Sequence, residues 1–177
     1  MVSHLKAEPL LPGALDQLEQ QSGAAARQDV EANPFLAYGS TILGVLVAPE
    51  FLVHLQLGDG DILLVSDAEE VSRPWPRDGR LLGSETTSLC APEAWKEVHV
   101  AVQLNAGQAP RLILLSTDGY ADSFRDDRGF LKVASDILKI ICREGVEKVE
   151  QSMESWLREA SQLGSGDDTT LGILYHR

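Results

Sequence analysis

Residues 112–122 read LILLSTDGYAD, a short apolar run that becomes acidic within three residues. The apolar part, residues 112–115, predicts a buried β-strand, because a continuous apolar stretch of this length fits a strand that is covered on both faces. Asp118 and Asp122 follow within seven residues of its end. Since a sheet holds the residue that follows a buried strand, we expect the Asp118 carboxylate to occupy a fixed position at the strand end.

Two further acidic segments lie beside predicted strands. Asp59 belongs to Gly-Asp-Gly-Asp at residues 58–61, directly before the apolar run 62–65, and Asp167 belongs to Gly-Asp-Asp-Thr-Thr at residues 166–170, before the last strand. Carboxylates at three strand ends can converge on one crevice. Oxygen ligands of this kind suit hard cations such as Mg²⁺ or Mn²⁺ better than they suit softer metals.

Each acidic segment also has an explanation that requires no metal. Asp59-Gly60 between two apolar runs is typical of a β-hairpin turn, and Asp118-Gly119 of a turn that ends a strand. Asp167 and Asp168 can belong to a solvated loop. The presence of all three segments in one chain favours the functional interpretation.

The remaining pattern predicts an α+β fold. We expect a helix over residues 12–29, a strand buried on both faces from residue 39, a hairpin of strands 51–57 and 62–65, and a loop over 66–92 with a short strand near Leu81. A strand is predicted at 97–104, helices at 130–142 and 146–163 separated by Gly145, and a final strand at 169–175. Consecutive strands with hairpin connections favour antiparallel sheets over a parallel sheet.

Length and charge narrow the classes of function. The 177 residues suit one domain, 1–177, and carry 15 basic and 27 acidic side chains, a net charge of −12. Such a surface disfavours nucleic acid and anionic membranes as partners. The longest apolar run, residues 42–48, is too short to span a bilayer. Without a secretory signal or a disulfide pattern in its two cysteines, the sequence predicts a cytoplasmic protein.

Four segments together resemble a known family. GSTILGVLVA at residues 39–48, LQLGDGDILLV at 55–65, LILLSTDGYAD at 112–122 and GDDTTLGIL at 166–174 resemble, in order and approximate spacing, the metal-dependent serine/threonine protein phosphatases of type 2C, the PPM family, and are most similar to its bacterial members. The resemblance implies two packed antiparallel β-sheets flanked by helices, with a metal cluster in a cleft at one end.

The resemblance also implies roles for the acidic residues. Asp118 and Asp167 match aspartates that help to hold the catalytic metal, and Asp59 and Asp122 match aspartates around an accessory metal. Asp61 stands where many members have Arg. The family hydrolyses phosphoserine and phosphothreonine in phosphoproteins through a water activated by Mg²⁺ or Mn²⁺, so no side chain is expected to act as a covalent nucleophile.

One family segment has no counterpart in this sequence. Family members begin with an acidic strand and Asp-Gly-x-Gly-Gly, whose aspartate bridges the two catalytic metals, whereas Asp16 and Asp29 are not followed by Gly. We therefore expect an N-terminally truncated domain in which residues 1–33 form a helical lead-in.

Such a domain is expected to bind metal weakly, to have impaired activity and to self-associate through unpaired sheet edges. Whether the chain is itself an enzyme stays open. The alternative is a non-catalytic regulatory or binding module on the same fold, and a third interpretation is an acidic structural protein.

Overall fold

The computed structural model describes residues 13–76, 87–91, 93–105 and 109–176. The strands are β1 (Ile42–Val47), β2 (Phe51–Leu57), β3 (Asp61–Val65), β4 (Val71–Ser72), β5 (His99–Leu104), β6 (Leu112–Ser116) and β7 (Leu171–Tyr175). The α-helices are α1 (Ala14–Ala32), α2 (Asp118–Ala121), α3 (Asp127–Glu144) and α4 (Val146–Glu159). Short 3-10 helices occupy Pro34–Tyr38 and Ala94–Lys96, and a π-helical segment occupies Ala160–Ser165.

The strands form two antiparallel sheets. The three-stranded sheet has the order β1-β2-β5, and the four-stranded sheet has the order β4-β3-β6-β7. Helices α3 and α4 flank the four-stranded sheet, whereas α1 packs chiefly on the 3-10 turn that follows it. The predicted α+β architecture of two antiparallel sheets flanked by helices is therefore confirmed.

Helix α3 shows how the sequence generates the main core. The Asp126 carboxylate caps the helix by accepting a hydrogen bond from the Gly129 amide (2.8 Å), and Gly145 ends it with a φ of 91°. Its buried positions recur every three to four residues and so form a single apolar face. That face packs on β3 and β6, and the core contains Phe130, Ala134, Ile137, Leu138, Ile141, Leu63, Val65, Leu112 and Leu114.

A second, smaller core lies between the two sheets. Leu52 of the three-stranded sheet packs against Ile62, Leu64 and Ile113 of the four-stranded sheet. Strand β3 is therefore covered on both sides, since Leu63 and Val65 face the helices while Ile62 and Leu64 face the other sheet. This double burial explains its continuous apolar sequence.

The predicted hairpin of strands 51–57 and 62–65 is wrong. Strand β2 pairs with β1 and β5, while β3 pairs with β4 and β6, so residues 58–60 connect the two sheets. The three-stranded sheet that contains β2 covers one face of β3, so β2 and β3 pack face to face instead of pairing, and this packing overrides the local Asp-Gly turn signal. The hairpin instead joins β1 to β2, where the Ala48 amide donates to the Phe51 carbonyl (2.9 Å).

Other expectations need smaller corrections. The first helix extends to Ala32 and contains a non-helical Gly23 (φ 88°, ψ 169°). Strand β1 is not buried on both faces, because it lies at a sheet edge with Leu46 and Val47 exposed. The last helix changes to π-helical geometry at Ala160, and the short strand expected near Leu81 lies outside the described residues.

Among the described residues, no helix combines the length and the apolar character that a membrane crossing requires.

The three-stranded sheet has an apolar outer face. Exposed side chains of β1 and β5 lie on it, in register with alternate residues of β2: Leu46, Val100, Val102 and Leu104. Since β1 and β5 are also the two edges of this sheet, we expect the purified chain to self-associate. Sedimentation velocity over a range of concentrations measures this, and a single monomeric species at every concentration would contradict the prediction.

His54 is a buried titratable side chain in the space between the sheets. It is 1% exposed, and neither ring nitrogen has a hydrogen-bond partner among the described residues. Burial lowers the pKa of His54 below its ordinary value of 6.5, against a smaller opposing effect of the neighbouring Gln103. Burial therefore favours the neutral form of this imidazole over the charged form.

Replacing His54 should flatten the dependence of stability on pH. As the pH falls through about 6.5, the unfolded chain takes up a proton at residue 54 before the folded chain does, so the free energy of unfolding decreases. His54→Leu removes this contribution, whereas His176→Gln alters an exposed histidine. Thermal unfolding at several pH values between about 7 and 5 measures the slope. Equal slopes for wild type and His54→Leu would show that His54 does not contribute.

Candidate metal centre at one end of the four-stranded sheet

The three acidic segments lie at one end of the four-stranded sheet. Asp61, the first residue of β3, pairs with Ser116, the last residue of β6, and Ser116 pairs with Leu171, the first residue of β7. Adjacent antiparallel strands therefore place the connection before β3, the segment after β6 and the loop before β7 at the same level. Asp59 lies in the first of these segments and Asp167 in the third.

Helix α2 carries the other two aspartates. Asp118 is its first residue, and Asp122 is its C-terminal cap, where the Asp122 amide donates to the Asp118 carbonyl (2.8 Å). The Asp118 side chain accepts a hydrogen bond from the Gly119 amide (2.8 Å) and is half-buried, while Asp122 is exposed. The sheet and this single turn of helix thus fix the backbone positions of both residues.

Hydrogen bonds join the segment after β6 to the loop before β7. The Thr117 amide donates to the Thr170 carbonyl (3.2 Å), and the Thr170 amide donates to the Thr117 hydroxyl (3.0 Å). The Thr117 hydroxyl in turn donates to the Asp168 carbonyl (3.4 Å). Within the loop, the Asp168 amide donates to the Asp167 carboxylate (2.7 Å) and so orients it.

Glycines permit the close approach of these segments. A Cβ atom at Gly119 would lie 2.5 Å from the Asp168 carbonyl oxygen and 3.2 Å from the Asp167 Cβ. A Cβ at Gly60 would lie 2.7 Å from the Ser116 carbonyl oxygen. Residues with a side chain at these two positions would push the three acidic segments apart.

The electrostatics of Asp118 show that the four predicted aspartates are neighbours. Its pKa is raised above the ordinary value, first by partial burial and then by the negative charges of Asp59, Asp167 and Asp122, against the lowering effect of the Gly119 amide. Three carboxylates act on a fourth only when they are near it. The structure therefore places Asp59, Asp122 and Asp167 within electrostatic reach of Asp118, and that the four bind an ion stays a prediction.

These side chains do not form a preorganised set of metal ligands. Within the described ranges, no group of three or more His, Cys, Asp or Glu side chains could hold a metal ion as it stands. The donor chemistry nevertheless fits a hard divalent cation, because every candidate donor is a carboxylate oxygen and these like charges repel one another. Binding an ion requires the side chains to converge further.

Arg73 also lies in this region, although the sequence patterns did not identify it as a functional candidate. It follows β4, and its Nε donates to the buried carboxylate of Asp61 (2.5 Å). Its other guanidinium nitrogens bind Asp127, the first residue of α3. The signal available in the sequence was Asp61 itself, since a carboxylate at the start of a buried strand needs a cationic partner.

A methyl group at residue 119 should separate the Asp118 and Asp167 segments. Gly119→Ala favours the helix by about 1 kcal/mol on propensity alone, but the contact with the Asp168 carbonyl makes a net loss of about 1–3 kcal/mol in the free energy of unfolding the expected outcome. The matched control is Gly172→Ala, where the added Cβ meets Leu115 at an ordinary 3.9 Å. Urea unfolding measures both variants. A Gly119→Ala protein as stable as the wild type would contradict a tight contact between the segments.

A comparison with family models identifies the family of this chain. The model for protein phosphatase 2C matches residues 2–158. The chain belongs to the protein phosphatase 2C family. This match includes Asp59, Asp118 and Asp122, while Asp167 lies beyond it.

Solved structures show the same fold at low sequence identity. The serine/threonine phosphatase PstP/Ppp of Mycobacterium tuberculosis is 21% identical, with a TM-score of 0.53 over 99% of this chain and 78% of that one. The PstP catalytic domain in complex with two manganese ions is 22% identical, with a TM-score of 0.53 over 97% of this chain and 75% of that one. A bacterial serine phosphatase is 18% identical, with a TM-score of 0.52 over 77% of this chain.

The extent of these matches varies between relatives. This protein phosphatase 2C chain spans 53% of the bacterial serine phosphatase structure but three quarters or more of the two PstP structures. A search of curated protein sequences found no match.

Proposed function

We propose that this chain is a serine/threonine protein phosphatase domain that binds Mg²⁺ or Mn²⁺ weakly through Asp59, Asp118, Asp122 and Asp167 and has little phosphatase activity by itself. The observation that carries the proposal is the gathering of these four carboxylates at the end of β3, β6 and β7. The weakness follows from two facts. The sequence contains no Asp-Gly-x-Gly-Gly, and no three-donor group is formed among the described residues.

The substrate of the proposed reaction is a phosphoserine or phosphothreonine in another protein, and a cytoplasmic location is part of the proposal. Membership of the family and the fold shared with PstP support this class of substrate. A net charge of −12 repels an anionic phosphopeptide at long range. When bound, divalent cations supply the activation of water and the neutralisation of the phosphate that this reaction needs.

The residues of the chain would orient these ligands. Asp118 presents its carboxylate from the first turn of α2, with one oxygen held by the Gly119 amide. Asp167 is held by the amide of the following residue. The hydrogen bonds of Thr117 and Thr170 keep the two loops at a fixed separation. The proposed role of the protein is therefore to position carboxylates on a rigid sheet end.

The second candidate function is a non-catalytic regulatory or binding module on the same fold. The absence of a three-donor group from the described part of the chain favours it. The two candidates differ in one measurable property, since a module without metal chemistry has no reason to bind Mn²⁺ at the acidic end.

Isothermal titration with Mn²⁺ separates these candidates. We expect weak binding by the wild type and a loss of about 10-fold or more in affinity for Asp118→Asn. The control, Asp67→Asn, removes an exposed carboxylate near Arg111, at the other end of β6, and should bind as the wild type does. Equal affinities for Asp118→Asn and the wild type would exclude Asp118 as a ligand, and no binding by either would support the regulatory module.

Phosphate release from a phosphothreonine peptide in the presence of Mn²⁺ tests the activity. We expect a trace rate that Asp118→Asn reduces further. Rapid release by the wild type, absent from Asp118→Asn, would refute the proposed impairment while establishing the phosphatase.

A further inference from the structure

Arg73 forms the most buried ion-pair network among the described residues. Its guanidinium contacts two carboxylates: Nε lies 2.5 Å from Asp61 Oδ1, and the two terminal nitrogens lie 2.5 Å and 3.1 Å from the Asp127 oxygens. The Arg73 side chain is 14% exposed and that of Asp61 is 3% exposed. The guanidinium also lies over the ring of the buried Phe130, 5.8 Å from its centre.

Both partners belong to segments that carry candidate metal ligands. Asp61 lies two residues after Asp59 and is the first residue of β3. Asp127 lies five residues after Asp122 and begins α3. A planar guanidinium that binds the two carboxylates through separate edges fixes both distance and angle between them. Arg73 therefore connects the segment of Asp59 to the segment of Asp122.

Arg73 also neutralises negative charge at the acidic end. A buried carboxylate at the start of β3 would add to the negative potential at the acidic end, where neighbouring carboxylates already repel one another. Arg73 pairs with Asp61, so this buried carboxylate adds little net negative charge to the acidic end. The segment of Asp59 can then remain close to the end of β6.

We propose that Arg73 is a positioning residue that sets the separation of the Asp59 and Asp122 segments and thereby raises the affinity of the acidic end for a divalent cation. This inference rests on the proposed function, in which those carboxylates bind Mg²⁺ or Mn²⁺. Arg73 itself touches neither the ion nor the substrate in this role. It acts through Asp61 and Asp127.

The sharpest variant is Asp127→Asn, because it releases the partly exposed end of the network and leaves the buried Arg73–Asp61 pair intact. Its control is Glu147→Gln, which likewise removes an acidic side chain from the first turn of a helix, α4. Arg73→Lys retains the charge but cannot bind both carboxylates in the same planar geometry. The control for it is Arg111→Lys, since Arg111 contacts Asp67 and the Tyr175 ring at the opposite end of β6.

Titration with Mn²⁺ is the first measurement. Asp127→Asn and Arg73→Lys should each weaken the affinity by about 10-fold, the usual effect of removing a residue that orients ligands. Glu147→Gln and Arg111→Lys should bind as the wild type does. Thermal unfolding without metal shows that each variant is folded. An affinity for Asp127→Asn equal to that of Glu147→Gln would overturn the proposal.

Amide hydrogen exchange without metal is the second measurement, and it distinguishes this proposal from the proposed function. Asp127→Asn should accelerate exchange in residues 58–61 and 119–126 together, and Glu147→Gln should not. If the wild type binds no Mn²⁺, the proposed function fails, and with it the effect on affinity; accelerated exchange would still establish the connection between the segments. Unchanged exchange in both segments would refute the connection itself.

Discussion

The pairing register of β3, β6 and β7 determines where the acidic side chains lie. Both faces of β3 and β6 are apolar, so alternation of polar and apolar residues cannot by itself select the register of this sheet. The contacts at the strand ends provide the missing constraint. Thr117 and Thr170 bind each other's backbone, and Gly60 approaches the Ser116 carbonyl more closely than a residue with a side chain could. The loops that carry the site thus also fix the pairing of the strands.

The carboxylates at this end of the sheet repel one another, and the packing of the apolar core holds them together. Asp118 is partly buried beside three other negative side chains, which is unfavourable for the folded protein and raises the pKa of the Asp118 carboxyl. The apolar core of α3 on β3 and β6 keeps the strand ends together despite this repulsion. Local strain of this type is expected where a site serves binding at the expense of stability. Arg73 reduces the repulsion at Asp61 by pairing with it.

The sequence predicted features that depend on neighbouring residues and missed those that depend on distant ones. The run at 112–115, the helical pattern of α3 and the stop at Gly145 are local signals, and the structure contains each of them. The family also followed from short motifs in a fixed order.

Two errors have a common origin in long-range structure. The Asp59-Gly60 turn signal predicted a hairpin, but the pairing of β3 depends on the elements that cover its two faces, which are the distant helix α3 and strand β2. Arg73 was missed because its partner Asp127 is 54 residues away in the chain. The four aspartates, in contrast, were named from the sequence, since they lie in short acidic segments beside predicted strands and match the motifs of the family.

The apolar outer face of the three-stranded sheet has a consequence for the colloidal behaviour of the protein. This face exposes an apolar patch that favours association, formed by Leu46, Val100, Val102 and Leu104. The net charge of −12 opposes association by electrostatic repulsion between molecules. At 0.1 M salt this repulsion extends only about 10 Å, and it vanishes near the isoelectric point of about 4.6. We therefore expect concentrated solutions to be most soluble in dilute, mildly alkaline buffer and to aggregate on acidification or on addition of salt.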